Sequence, residues 1–247
     1  MKVATWNVNG IRARGEQFAA WAASEQPDVI CLQEIKARLD QIPQTCSIEG
    51  YTCYWHGAGG YSGVALHVRR ELADNVDYVH PAFDLETRIV QAQIEDTVFT
   101  SVYVPNGGKD FEGKIAFINA LIGYAADLKA RGLKLVLCGD MNIARTDRDV
   151  HPKERKPRSI GQLPQERELL ERLIAEGGLV DVGRMLYPDD ENYFTWWAPW
   201  RNMRERNIGW RLDYVLASES LAKKAVSCIS HREIGTSDHA PVVAVFA

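Results

Sequence analysis

Four widely separated segments of the 247-residue chain end an apolar run in a group that could bind a cation. One run ends Trp6-Asn7-Val8-Asn9-Gly10, a second Leu32-Gln33-Glu34, and a third Cys138-Gly139-Asp140-Met141-Asn142. The last run begins after Ser237-Asp238-His239. An ionised carboxylate inside a sheet is costly unless it is paired or metal-bound. At one rim of a sheet, several can converge on a cation. Alternation along a strand places Asn7 and Asn9 on one face, and Asp140 and Asn142 likewise. The set Asn7, Glu34, Asp140, Asn142, Asp238 and His239 is rich in oxygen and poor in sulfur and nitrogen. It suits Mg²⁺, with Mn²⁺ as a substitute, better than Zn²⁺. Any one of these residues could be an ordinary turn former or strand end. Four such ends in one chain carry more weight.

The elements that must position these groups follow from the hydrophobic spacing. Apolar runs and alternation predict strands at Lys2–Val8, Val29–Leu32, Tyr51–Trp55, Ser62–Val68 and Arg88–Ile94. Further strands are expected at Val98–Val104, Leu133–Cys138, Asn192–Trp196, Arg211–Leu216 and Pro241–Phe246. Phe18, Trp21 and Ala22 mark a helix that ends before Pro27. Phe111 to Ala130 carries the stripe Ile115, Ile118, Leu121, Ile122, Ala125 and Leu128. Gln165–Glu176 reads as a helix introduced by Pro164 and stopped by Gly177-Gly178. Gly57, Gly59 and Gly60 suggest a hairpin turn. Strands and helices mixed in this way indicate an α/β class. Ile143–Leu163, rich in Arg, Lys and Pro, is a long stretch without an obvious element, and so long a loop is usually functional or disordered.

Composition narrows the classes further. Hydrophobic content of 46% and charged content of 25% suit a soluble enzyme, expected as one domain over 1–247. The formal charge of −4 argues against a nucleic-acid coat protein but is compatible with an acidic site neutralised by metal. Cys31, Cys46, Cys53, Cys138 and Cys228 form no C-x-x-C and are odd in number. They suggest a reducing, cytoplasmic setting without disulfides. No basic leader precedes an apolar stretch, and no run is long enough to span a bilayer. P-loop, H-E-x-x-H and G-x-G-x-x-G patterns are missing.

Six segments in order carry a resemblance: W-N-V-N-G at Trp6–Gly10, L-Q-E at Leu32–Glu34 and Y-V-P-N at Tyr103–Asn106. The others are G-D-M-N at Gly139–Asn142, N-I-G-W-R-L-D-Y at Asn207–Tyr214, and S-D-H at Ser237–His239. The chain resembles the exonuclease III-type apurinic/apyrimidinic endonucleases of the DNase I-like superfamily, from Lys2 to the C-terminus. The resemblance implies a four-layer α/β sandwich, two packed mixed β-sheets flanked by helices. It implies a Mg²⁺-dependent repair nuclease that hydrolyses the phosphodiester 5′ to abasic sites, with 3′–5′ exonuclease and 3′-end trimming activity. The implied partner is double-stranded DNA with abasic sites or recessed or blocked 3′ ends, met by a monomer. Glu34 would be the principal metal carboxylate, with Asn7 and Asp238 nearby. Asp140 would prepare the attacking water or protonate the leaving oxygen, and Asn142 would hold that water or a phosphoryl oxygen. The resemblance adds Tyr103 and His239 as phosphate contacts and Asp213 as the group orienting His239.

Two basic clusters flank these residues. Arg145, Arg148, Lys153, Arg155, Lys156 and Arg158 lie in Ile143–Leu163, and Arg201, Arg204, Arg206 and Arg211 lie further on. They read either as solvated mixed-charge surface or as phosphate-positioning groups. Arg12 and Asn106 resemble family contacts to DNA. Trp196, Trp210 and Leu212 match positions lining a pocket for a flipped-out, base-free sugar. Trp200 falls where relatives carry a wedging residue of varying type, and Trp197 reads equally as core. Pro199 and the short loop after Asn106 depart from the family pattern and leave lesion preference open. A superfamily phosphodiesterase or phosphomonoesterase acting on a non-DNA substrate is the alternative enzyme. A non-catalytic binding module is the alternative outside catalysis.

Overall fold

The unbroken apolar runs Lys2–Asn7 (β1) and Val29–Gln33 (β2) are buried along almost their whole length and pair in parallel. A parallel pair needs a crossover, and the helix Ile11–Glu25 (α1) supplies it, ending at a left-handed Gln26 just before Pro27. The same unit recurs later. Thr97–Tyr103 (β7) and Lys134–Asp140 (β8) are parallel and joined through Phe111–Ala130 (α2). The Asp110 carboxylate caps that helix by accepting from the Gly113 N–H at 2.8 Å. Pro164 starts the next helix, Pro164–Gly177 (α3), and a left-handed Gly178 stops it.

This computed structural model describes residues 1–247. The remaining strands are β3 (Tyr51–His56), β4 (Val64–Arg69), β5 (Tyr78–Val79), β6 (Ile89–Ile94), β9 (Leu179–Asp181), β10 (Asp213–Ser218), β11 (Ala225–Ser230) and β12 (Val242–Phe246). They complete two six-stranded sheets, ordered β11-β12-β1-β2-β4-β3 and β5-β6-β7-β8-β10-β9. One core lies between the sheets, with Val3, Cys31 and Leu66 from the first meeting Phe99, Val136 and Cys138 from the second. A second core joins the second sheet to α2 and α3, and a third joins the first sheet to α1. The order is therefore helix, sheet, sheet, helices, the four-layer α/β sandwich that the resemblance implies.

Several sequence expectations need correction. No strand forms at Asn192–Trp196. Trp196 makes only single bridges to Trp210 and His239. Phe194, Trp197 and Ala198 instead fill a small cluster with Met203, Ile208 and Ala240. Ile143–Leu163 is ordered by two short 3₁₀ turns, Asp147–Asp149 and Pro152–Glu154. The strand expected from Ser62 starts at Val64, because Ser62 and Gly63 both take positive φ. β5, β9 and β11 were not legible, since they are short or at sheet edges.

One buried group gives the fold a measurable pH dependence. His67 on β4 is fully buried among Phe18 and Trp55, with neither ring nitrogen hydrogen-bonded. Burial lowers its pKa from 6.5 to about 3. Below pH 6.5 the unfolded chain takes up a proton that the folded one refuses, so this group costs stability as pH falls and costs nothing above that. His67→Leu should flatten the acid limb of stability against pH, by up to about 1.4 kcal/mol per pH unit. Denaturant unfolding between pH 4 and 8 measures it; an unaltered acid limb contradicts a buried neutral imidazole.

Candidate active site

The ends of β1, β2, β8 and β10 open on one side of the sandwich, and the turn before β12 folds over them. A cavity of about 320 Å³ there is lined by Glu34, Tyr103, Asn106, Asp140, Asn142, Ile160, Gly161, Trp196, Trp210, Leu212, Asp238 and His239. Glu34 and Asp238 thus share one hollow although 204 positions separate them in the chain. Asn7 sits beneath it, fully buried, and its Nδ2 donates to Asp140 Oδ2 at 2.9 Å from one sheet to the other. Asn9 and Asn142 reach the site by another route than strand alternation. Both lie past their strands at positive φ, as does Glu34. Left-handed backbone at non-glycine residues is strained and survives where the surroundings fix it.

Asp140 is held from two sides. Besides Asn7, the Asn142 N–H donates to Asp140 Oδ1 at 2.8 Å. Burial pushes its carboxyl up to about 7; the charge on His239 pulls the other way, while Asp213 and Glu34 add to the rise. His239 Nδ1 lies 2.8 Å from Asp213 Oδ2, and its Nε2 lies 3.8 Å from Asp140 Oδ2. Burial opposes charge on the imidazole, but the Asp213 and Asp140 carboxylates outweigh it and raise His239 to about 10. Ser237 Oγ donates to the Asn7 carbonyl at 2.7 Å, fixing the Ser237–His239 turn to the end of β1. Tyr103 donates its hydroxyl to Glu34 Oε1. Burial first, and then the Glu34 and Asp140 charges, raise the phenol's pKa. Asp238 accepts from Asn9 Nδ2 at 2.7 Å and Trp196 Nε1 at 3.0 Å. Burial works against its ionisation, yet His239 and these two bonds hold its pKa below the usual carboxylate value.

The donors fit a hard divalent cation. Glu34, Asp140 and Asp238 bring three carboxylates to one cavity, and Asn7 and Asn142 add amide oxygens nearby. Asp213 Oδ1 is buried without a partner, so the cluster carries more negative charge than its own hydrogen bonds satisfy. Opposite the carboxylates, Trp196 and Trp210 meet edge to face at 5.6 Å, and with Leu212 and Ile160 they form an apolar wall.

Residues 4–239 match the Endonuclease/Exonuclease/phosphatase family. The chain belongs to that family. It is 34% identical over 250 residues to an exodeoxyribonuclease of Bacillus subtilis, covering 98% of each chain. It is 36% identical over 259 residues to the DNA repair nuclease APEX1 of Danio rerio, covering all of this chain and 82% of the other. The 3′–5′ exonuclease NExo of Neisseria meningitidis superposes with a TM-score of 0.90 at 32% identity, over 100% of this chain and 99% of that one. An AP endonuclease of Archaeoglobus fulgidus gives 0.88 at 31% identity, with the same coverage.

On this family scaffold the basic residues divide sharply. Arg211 is buried and pairs with Asp149 at 2.7 Å and Asp181 at 2.7 Å, so it has no surface to offer a phosphate. Arg204 spends its guanidinium on the carbonyls of Arg232, Ile234, Gly235 and Ser237. Arg145 binds Glu171 and Asp181, and Arg148 binds Asp189. Lys153, Lys156, Arg158, Arg201 and Arg206 are exposed and outside any ion pair, as is Arg12 on the first turn of α1. Trp200 is 60% exposed and lines a neighbouring hollow, away from Trp196 and Trp210. Trp197 is core.

Sequence reasoning put Asn9 on the face of Asn7 but left it out of the ligand set, and it missed Lys36 as part of the site. Lys36 Nζ reaches Asn9 Oδ1 at 2.6 Å and Glu34 Oε2 at 2.9 Å. The Asn in W-N-V-N-G and a lysine two residues after Glu34 were the available signals. A second group, His56, His80 and Asp84, also clusters. Its imidazoles stack face to face at 3.7 Å, and His56 Nε2 is engaged by Asp84 at 2.6 Å. His80 is engaged at both ring nitrogens, by the Tyr54 hydroxyl at 2.8 Å and the Ile89 carbonyl at 3.2 Å, so the group reads as a hydrogen-bonded brace.

Arg211→Met would leave Asp149 and Asp181 buried with their main counter-charge gone. The expected loss is roughly 3–5 kcal/mol of folding stability. Denaturant titration tests this, and a variant as stable as the wild type would return Arg211 to the list of available surface cations.

Proposed function

We propose that this protein is a Mg²⁺-dependent DNA repair nuclease that hydrolyses the phosphodiester 5′ to abasic sites and processes 3′ ends with the same site. One observation carries the reading: the carboxylates of Glu34, Asp140 and Asp238 face an apolar wall of Trp196, Trp210, Leu212 and Ile160 across a single cavity. A repair nuclease and an exodeoxyribonuclease among the relatives, and an AP endonuclease and a 3′–5′ exonuclease among similar structures, support it. The wall is apolar and the cavity small, which suits a deoxyribose whose base is missing. Extrusion of such a nucleotide costs least where no base has to be unpaired.

Glu34 and Asp238, with Asn7 and Asn142 close by, would hold Mg²⁺, which supplies positive charge to the phosphoryl and leaving oxygens when bound. Asp140 acts on protons. Its orientation is fixed by Asn7 and Asn142, and a pKa near neutrality lets it take a proton from the attacking water or return one to the leaving oxygen. The water oxygen bonds to phosphorus, the P–O3′ bond breaks, and O3′ leaves protonated. Asn142 orients the water or a phosphoryl oxygen. His239, as an imidazolium, has no lone pair for a metal and instead donates to a phosphoryl oxygen from Nε2. Asp213 fixes its tautomer through Nδ1. Tyr103 keeps its proton at every working pH and would turn that single O–H from Glu34 to serve as a second donor to the phosphate. Arg12, Asn106, Lys153, Lys156 and Arg158 would position the backbone of a duplex, with Trp200 at its edge. The chain would act as a monomer, one domain over 1–247. Its five free thiols fit a reducing, cytoplasmic setting, and no helix is long and apolar enough to cross a membrane.

The test is a panel of abasic duplex, recessed 3′ end, 3′-phosphate, deoxyuridine duplex and an RNA strand in Mg²⁺ at fixed salt. Abasic cleavage should dominate, stop with EDTA, and fall at least about 100-fold in Asp140→Asn and Glu34→Ala. Failure to cut any DNA while a non-nucleic phosphoester is hydrolysed would overturn the reading. In Asp213→Asn the imidazolium loses its main counter-charge. Activity should then fall, and its alkaline limb should move to lower pH, since a protonated His239 is present below its pKa and lost above it. An alkaline limb that stays in place would remove the Asp213–His239 pair from the chemistry.

A further inference from the structure

Beneath the loops that shape the cavity lies an ion pair with no solvent exposure on either side, between Lys114 of α2 and Glu166 of α3. The lysine Nζ carries three N–H bonds, and each has an acceptor. One is Glu166 Oε1, the second the Asn142 carbonyl at 2.8 Å, and the third the Asn106 carbonyl at 3.1 Å. The second oxygen of Glu166 accepts from the Gly161 N–H at 2.6 Å and the Leu163 N–H at 3.1 Å. One buried pair therefore ties together the segments carrying Asn106, Asn142 and Gly161, all of which line the cavity. The Asn106 and Asn142 side chains also bond each other, at 3.2 Å.

Stability alone does not call for such a pair. Well-packed apolar residues of similar volume often serve a fold as well or better than a buried ion pair. What the charges add here is direction. A tetrahedral ammonium sets the relative positions of two carbonyls, and a carboxylate sets two amides, in three segments that no β-ladder joins. We propose that Lys114 and Glu166 are positioning residues for hydrolysis, acting through Asn142 and Asn106 without touching substrate; this rests on the nuclease reading above. The pair holds the Asn142 amide in register with Asp140, to which Asn142 is bound through its backbone N–H. The same anchor places the wall segment at Ile160 and Gly161 against Trp210; an added Cβ at Gly161 would stand only 3.1 Å from that indole.

The experiment compares wild type, Lys114→Met, Lys114→Arg, Glu166→Gln and the apolar double variant K114M/E166L, each alone and with Asn142→Ala. The double variant covers the case in which a single change leaves a lone buried charge and the chain fails to fold. With abasic duplex in Mg²⁺, kcat should fall at least tenfold in Lys114→Met and in the folded double variant, while KM changes less than about threefold. Lys114→Arg should recover part of the loss. In the Asn142→Ala background the same changes should cost less than about threefold more, because neighbours acting through one group are not additive. Amide exchange should speed up together in residues 104–108, 141–144 and 160–163 of the double variant, a readout that does not depend on cleavage. Full additivity with Asn142→Ala, or a folded double variant with wild-type kcat, overturns the proposal. If wild type cuts no DNA, the nuclease reading fails separately, and unaltered exchange in the three segments rejects the anchor by itself.

Discussion

The rest of the site depends on one uncomfortable juxtaposition: Asp140 and Asp213 stand directly opposite each other on neighbouring antiparallel strands, both about 1% exposed. Like charges paired across a ladder repel, and burial removes the water that would screen them. His239 relieves the strain by reaching both, one carboxylate at each ring nitrogen. That placement raises the imidazole to about 10, while burial and the facing Asp213 charge lift the Asp140 carboxyl to about 7 against the pull of His239. The trio stays net negative when ionised, and Glu34 and Asp238 beside it make the cavity strongly negative, a charge that suits a cation.

Holding these groups in place falls to the backbone just past the strands. Asn9, Glu34 and Asn142 each turn left-handed within two residues of a strand's end, lifting their side chains out of the pleat and over the rim. Gly139 permits the close approach behind them, since a Cβ there would lie 1.8 Å from the Val102 carbonyl oxygen. Any other residue would push β8 from β7 and carry Asp140 with it. Cross-sheet polar bonds lock the layers in register near the same end: Asn7 to Asp140, and Gln33 to Ser101 at 3.1 Å. Packing density between the sheets leaves these bonds little freedom to relax.

Charge on the outside is arranged by subtraction. A formal charge of −4 and a cluster of arginines pull in opposite directions if every arginine is counted as surface. Arg211, Arg204, Arg145 and Arg148 are consumed internally, by buried carboxylates, by carbonyls and by surface acids. The cations left unpaired are fewer than the sequence count suggests, and Lys153, Lys156 and Arg158 sit together on one ordered loop, 143–163. Glu166 fastens the end of that loop from below, through the Gly161 and Leu163 amides. The carboxylate rim and the cationic surface are thereby parts of one connected scaffold.

The sequence by itself determined the α/β class and the polar strand ends of the cavity, while the four-layer arrangement and the positions of Tyr103, Asn106, Trp196, Trp210 and Leu212 were implied by the family resemblance. Apolar runs long enough to be buried must form strands, and polar groups at their ends cannot turn inward without cost. Glu34, Asp140, Asn142, Asp238 and His239 were legible for that reason, and α2 and α3 because their stripes and caps are local features. Arg211 was not legible, because a cation's role depends on which carboxylates the fold sets around it; Asp149 and Asp181 are far from it in the chain. The same holds for Lys114, which looks like any surface lysine of an amphipathic helix until α3 packs Glu166 against it. Strand alternation placed Asn9 and Asn142 on the right side by the wrong route, since their left-handed turns are set by tertiary contacts. Periodicity is written in neighbouring residues, whereas compensation of buried charge is settled only when distant segments meet.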